Sequence, residues 1–195
     1  MDSKVLKLTL AILTAVWTAL PAFAQEATFH LDPEQTTIRF TLEATMHTVH
    51  GSFRLKNGAI RFNSATGAAS GAIVVDAASG DSGNQRRDRN MHRDVLLSER
   101  YPEITFTPIR VIGALQPQGE SSVQVEGILK LQGTDHPITL PLKVQVSGNE
   151  LRATTQLSVP YIAWGLKNPS TFFLHVADKV ELSIAASGKL TVSER

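Results

Sequence analysis

The stretch VQVEGILKLQGTDHPITLPLKVQV, residues 123–146, alternates apolar and polar side chains on both sides of a short break that contains glycine. Val123, Val125, Gly127, Leu129 and Leu131 share one face, and Ile138, Leu140, Leu142, Val144 and Val146 share another. A period of two marks a strand with one buried face. Two such runs joined by a turn at Gly133-Thr134-Asp135-His136-Pro137 read as antiparallel neighbours.

The same period recurs along the chain. Ile38, Phe40, Leu42, Ala44 and Met46 alternate, as do Leu151, Ala153, Thr155, Leu157 and Val159, and then Val180, Leu182, Ile184 and Ala186. Turn signals stand at Lys56-Asn57-Gly58, Pro117-Gln118-Gly119 and Ser147-Gly148-Asn149. The pattern predicts strands near 27–31, 36–46, 49–55, 70–77, 104–115, 122–132, 137–147 and 150–159, with 180–190 as a ninth candidate. A meander of about eight strands closed into one antiparallel β-barrel leaves no exposed edge, and a sandwich of two sheets satisfies the same pattern. The fold class is mainly β, with one short α-helix near 85–98.

The N-terminus reads as an export signal. Lys4 and Lys7 precede an uncharged run from Leu8 to Leu20, and Pro21 precedes Ala22-Phe23-Ala24, with cleavage expected after Ala24. That run is shorter than the roughly 20 residues a spanning helix needs, so a soluble periplasmic or secreted product is expected, with no stable membrane insertion. The domain is then residues 25–195. The absence of cysteine rules out disulfides and thiolate metal sites. Removing Asp2, Lys4 and Lys7 from 19 basic and 18 acidic residues leaves 17 of each, and a neutral domain is a poor nucleic-acid binder.

One island breaks the strand period: NQRRDRNMHRDVLLSERYPEITF, residues 84–106. At 100° per residue Met91, Val95 and Leu96 fall on one side with Asp88 and His92 between them, while Arg89, Asn90 and Arg93 project away. Asn84 is placed to cap the start, and Tyr101-Pro102 ends the helix. Asp88 and His92, four apart, could form an acid/base pair, yet no Ser or Cys nucleophile stands at a motif spacing beside them. A carboxylate anchoring the helix through backbone or hydroxyl donors is the better reading. His47 and His50 point to opposite faces of a strand and lack a third ligand, so no metal site and no cofactor are expected.

These segments together resemble the YceI-like, or polyisoprenoid-binding, proteins. The matching features run from about Phe29 to Leu190: LDPEQTTIRF with Asp32, Ile38 and Phe40; HTVHGSFRL with Val49, Gly51 and Phe53; and Arg87-Asp88 leading to RYPEITF. They continue with VEGILKLQGTDHPITLPL and with AWGLKN around Trp164. The resemblance implies a lipocalin-like barrel, periplasmic or secreted, that binds a long-chain lipid or isoprenoid without catalysis.

Alternation alone makes Phe40, Leu42, Met46, Phe53, Leu129, Leu131, Leu140 and Leu142 an ordinary apolar core. The resemblance makes them the lining of a lumen, with Met91 and His92 of the helix facing it. Arg87, with Arg86, is placed either to reach an anionic head group or to lie on a solvated helix surface, and Trp164 either to cover the opening or to pack its loop on the barrel. An enzyme acting on an isoprenoid and an envelope protein-interaction module remain alternatives, and a homodimer is among the states the sequence allows.

Overall fold

The computed structural model describes residues 26–45 and 47–193, so the expected export signal and the expected lumen residue Met46 lie outside the described residues. Nine strands form: β1 (Glu26–Leu31), β2 (Thr37–Ala44), β3 (His47–Asn63), β4 (Ala69–Asp81), β5 (Glu103–Ile112), β6 (Gly119–Leu131), β7 (Thr134–Ser147), β8 (Glu150–Val159) and β9 (Val180–Ser193). Between β4 and β5 lies helix α1 (Gln85–Asn90), which widens into a π-helical turn at Met91–Leu96. From β2 to β9 each strand pairs antiparallel with its successor in sequence, and β9 returns to pair with β2. The sheet is therefore a closed up-and-down barrel.

The ninth strand fits an eight-track barrel because β1 and β2 share one track. β1 pairs with the far ends of β3 and β9, at Ala59–Asn63 and Gly188–Ser193, while β2 pairs with His47–Phe53 and Glu181–Ala185 of the same two strands. The interruption at Asp32–Thr36 is held locally. The Asp32 carboxylate accepts from Glu34 N–H at 2.9 Å and from the Gln35 amide at 2.7 Å, and Asp32 N–H donates to Ser187 O at 2.8 Å. Gly188 allows the close approach there, since a Cβ on it would sit 2.0 Å from His30 O.

Two turn expectations move. Lys56-Asn57-Gly58 lies inside β3 as a bulge, where the register against β4 slips between Leu55 and Asn57. An Asn-Gly pair serves a bulge as readily as a turn, and here β3 must run on to reach β1. The β6–β7 turn is Gln132-Gly133, both with positive φ (50° and 75°), so Asp135, His136 and Pro137 belong to β7. Such a two-residue turn with both φ values positive matches the twist of a tight hairpin.

The two ends of the barrel differ. Thr45 and the connections 82–102, 132–133 and 160–179 all lie at one end, and β7 pairs with β8 only over Lys143–Ser147, leaving its first half bonded to β6 alone. Pro137 and Pro141 fall in that unpaired half and offer no N–H toward a neighbour. At the opposite end Phe29, Phe62, Val144, Val146, Leu151, Ala153, Ala186 and Leu190 form a tight apolar cluster. Along β7 the inward residues pass from half-buried His136, Ile138, Leu140 and Leu142 to Val144, 5% exposed, and Val146, 1% exposed. The barrel is sealed at one end and hollow toward the other.

Glycines under aromatic rings keep the wall thin. A Cβ on Gly51 would lie 2.3 Å from Phe40 Cζ and 2.4 Å from the backbone oxygen of Asp81, so tilting the ring alone cannot make room. Gly51→Val is expected to cost about 1–3 kcal/mol by overpacking, which in a domain of this size lowers Tm by roughly 2–4 °C per kcal/mol. Differential scanning calorimetry checks this; an unchanged Tm would show that β3 shifts freely at Gly51.

Candidate functional site

The barrel encloses a cavity of about 760 Å³, within the usual range of small-molecule sites. Its wall is almost wholly apolar and runs the length of the barrel, from Phe29 and Phe62 at the sealed end past Phe40, Val125 and Leu140 to Leu157 and Val180 near the mouth. Three of its aromatic rings lie over glycines rather than across the axis. Phe40 covers Gly51, Phe106 covers Gly127, and Phe53 covers Gly80 together with Met91. Each glycine removes the side chain that would push the ring inward, which leaves the axis open.

Polar groups reach the cavity mainly at the mouth, from the helical segment and from the 160–179 loop. Ser82, Asn84, Arg86, Arg87, Asn90 and Asp94 contribute from one side and Lys167, Asn168, Ser170 and Thr171 from the other, with His47 between. Asn84 caps α1, its Oδ1 accepting from Arg86 N–H and Arg87 N–H at 3.1 Å each. Asp88 Oδ1 accepts from Ser82 N–H at 2.9 Å and from the Ser82 hydroxyl. Arg87 donates through Nε to Ser82 Oγ and through Nη2 to Ser82 O, both at 2.7 Å. Farther along, His92 Nε2 donates to Gly80 O at 2.9 Å, and the Gln132 amide donates to Val95 O. The helix is thereby bolted to β4 and to the β6–β7 turn.

The 160–179 loop is fastened differently. Tyr161 is 5% exposed and donates its hydroxyl to Ala177 O at 2.8 Å, closing the base of the loop. Burial, aided by the nearby Asp178 charge, pushes the Tyr161 hydroxyl up to about 12. Ala177 N–H donates to Glu43 O and Thr45 N–H to His175 O, tying the return limb to β2. Lys167 Nζ lies 3.7 Å from Asp94 Oδ1 and so links the loop to the helical segment across the mouth. The Arg93 guanidinium beside Asp94 holds its carboxyl below the usual carboxylate range.

Of the expected residues, Phe40, Leu42, Phe53, Arg87, Met91, Leu129, Leu131, Leu140 and Leu142 stand on the cavity wall. His92 and Trp164 do not. His92 turns to Gly80, and Trp164 stacks on His136 at 4.0 Å between ring centroids and packs against the cluster of Leu131, Val159, Tyr161 and Leu166 at the mouth end. Asp88 and His92 form no pair, since their hydrogen bonds go to Ser82 and Gly80. Asn90, expected to project away, reaches the mouth from the end of α1, as does Asp94 from the π-helical turn that follows it. His50 shares a hydrogen bond with Thr41 Oγ1 at 3.1 Å, while His47 stands at the mouth. The reading by period also passed over Phe106, Val111 and Leu115 of the wall, and Lys167 and Asn168 of the mouth.

A family model described as YceI-like domain matches residues 29–187. A UPF0312 protein of Vibrio parahaemolyticus is 29% identical over 141 residues, covering 70% of this chain and 72% of its own. Another, from Pseudomonas putida, is 26% identical over 191 residues, covering 92% of this chain and 94% of its own. Among solved structures, Burkholderia cenocepacia BcnA superposes with a TM-score of 0.68 at 19% identity, over 82% of this chain and 99% of that one. A polyisoprenoid binding domain from Saccharophagus degradans superposes with a TM-score of 0.60 at 16% identity, over 87% and 99%. The latter two likenesses concern the fold.

Two predictions test the fastenings. Asp88→Ala strips Ser82 N–H of its acceptor and is expected to cost about 1–3 kcal/mol, read as a fall in the urea midpoint with an unchanged slope. The raised Tyr161 hydroxyl adds nothing to the pH dependence below about 10, and stability then falls as pH rises from about 10 toward about 12. Denaturant midpoints measured across that range are expected to show the decline in the wild type and a flatter profile in Tyr161→Phe.

Proposed function

Because the chain belongs to the YceI-like family, we propose that it is an envelope lipid-binding protein, periplasmic or secreted, that holds one long apolar chain in its lumen. The observation that carries this reading is the apolar cavity of about 760 Å³, closed at one end, with its charged groups gathered at the mouth. An apolar cavity gives water few partners and so favours an apolar occupant. The ligand enters tail first, since the far end is closed by Val146 and its neighbours and the charged side chains of the wall stand at the mouth. Arg86 is exposed there, whereas Arg87 has committed Nε and Nη2 to Ser82.

The chemistry of the wall suits a polyisoprenoid or another long acyl or prenyl chain, bound by area rather than by directed hydrogen bonds. At about 30 Å³ per water-sized group, the cavity takes on the order of 25 heavy atoms. At about −0.3 kcal/mol per atom this gives roughly −7.5 kcal/mol, a Kd on the order of micromolar. That strength suits reversible transport, storage or sequestration. The side chains first considered for acid/base work, Asp88 and His92, stand off the cavity wall and fasten the helix, so the reading is binding without chemistry.

Native mass spectrometry of protein exported by its own leader is expected to show an added lipid mass. Geranylgeraniol binding is expected to fall at least roughly tenfold in Leu140→Trp, which fills the lumen, and to persist in Lys143→Trp, whose side chain faces outward. Equal binding by both variants would place the ligand elsewhere.

A further inference from the structure

The loop between β8 and β9 carries two large apolar side chains that nothing covers. Phe172 is 94% exposed and Phe173 88%, and their rings meet each other edge to face at 5.0 Å. This is no slack segment. Thr171 N–H donates to Leu174 O at 2.8 Å, so the two phenylalanines are the corners of a closed turn. Just beyond, Val176 N–H donates to Ser170 Oγ at 2.9 Å and Ala177 N–H to Glu43 O at 2.8 Å. The other exposed large apolar residues, Ile109, Ile112 and Val192, are strand residues 41–54% exposed. A braced turn that presents adjacent aromatic rings to solvent is a surface without its partner.

Position and charge select that partner. Ser170, Thr171 and Leu174, which flank the pair, stand on the cavity wall, so whatever receives the rings lies against the mouth. The same rim is basic. Lys167 stands on the loop and Arg86 and Arg87 on the facing helical segment, against Asp94 as the one carboxylate on the cavity wall among the described residues, a local excess of two positive charges within a neutral domain. Exposed aromatic rings set beside a basic rim match the acyl boundary and head groups of an anionic bilayer. On the lumen reading given above, the occupant must also leave through this mouth, and a mouth pressed to a bilayer spares the apolar chain any passage through water.

We propose that Phe172 and Phe173 are a wedge that docks the barrel mouth on an anionic lipid surface, where the lumen loads and unloads. Two rings and a few cations give reversible peripheral binding, far short of a spanning anchor.

The test uses the mature chain without ligand and vesicles of phosphatidylcholine with or without phosphatidylglycerol. The wild type is expected to sediment with the anionic vesicles, less with the neutral ones and less at high salt. Phe172→Ser/Phe173→Ser is expected to weaken that binding at least roughly tenfold with Tm unchanged. The double variant should still take up geranylgeraniol from detergent solution while drawing it from vesicles at least roughly tenfold more slowly. Wild-type protein that ignores both vesicles overturns the docking proposal, even if uptake from detergent upholds the lumen. Vesicle binding lost in the double variant, with no uptake by either protein, overturns the lumen reading and upholds the dock. A wild-type dimer that the serine changes dissolve, without vesicle binding, assigns the rings to a second copy and overturns the proposal.

Discussion

The pairing of β9 with β2 is the interaction on which the rest depends. It consumes the last free sheet edge and fixes the number of tracks at eight, the size at which a barrel interior is just wide enough for side chains or one small ligand. A ring of that circumference is poised between filled and hollow, and the choice passes to individual residues. At the sealed end Val144, Val146 and Leu151 pack in one cluster with Phe29, Phe62 and Leu190 from other strands. Toward the mouth, glycines 51, 80 and 127 let Phe40, Phe53 and Phe106 lie against the wall, and the β7–β8 ladder stops at Lys143 so that the tracks can spread. Hollowness is therefore a property of specific positions on a closed sheet.

Much of this was legible in the sequence because the determinants are local. Period two gave the strands, and the faces it marked put Leu129, Leu131, Leu140 and Leu142 on the cavity wall. Alternation reports a face and is silent about depth. It gives the same signal for Leu140, which borders empty space, and for Val146, which is 1% exposed in a filled end.

What stayed hidden depends on partners distant in sequence. Asp32–Thr36 looks like any loop until β3 and β9 are seen to flank both β1 and β2. The Asn57-Gly58 signal is shared by turns and bulges, and the length of β3 decides between them. On the helix, the 100° count placed Met91, Val95 and Leu96 well and failed for Asn90, the last residue before a π-helical turn that nothing in MHRDVL announces. Trp164 stacks on His136, a partner on a strand from elsewhere in the chain that no local pattern announces.

The mouth shows how rigidity is distributed around the cavity. The helical segment is held by partly buried hydrogen bonds to Ser82 and Gly80 and from Gln132, and loss of any one strands a buried polar group. The loop is held by Tyr161 at its base and by backbone bonds to β2 on its return. Between these two well-fastened bodies run the ion pair of Lys167 with Asp94, at 3.7 Å with the lysine side chain 63% exposed, and an apolar cluster in which Val95 and Leu96 pack with Leu131, Tyr161 and Leu166. Exposed pairs of this kind contribute about 0–1 kcal/mol and are screened by salt, which is small beside the fastenings on either side. The apolar cluster, rather than the ion pair, therefore holds helix and loop together at that seam, and the closed sheet carries both.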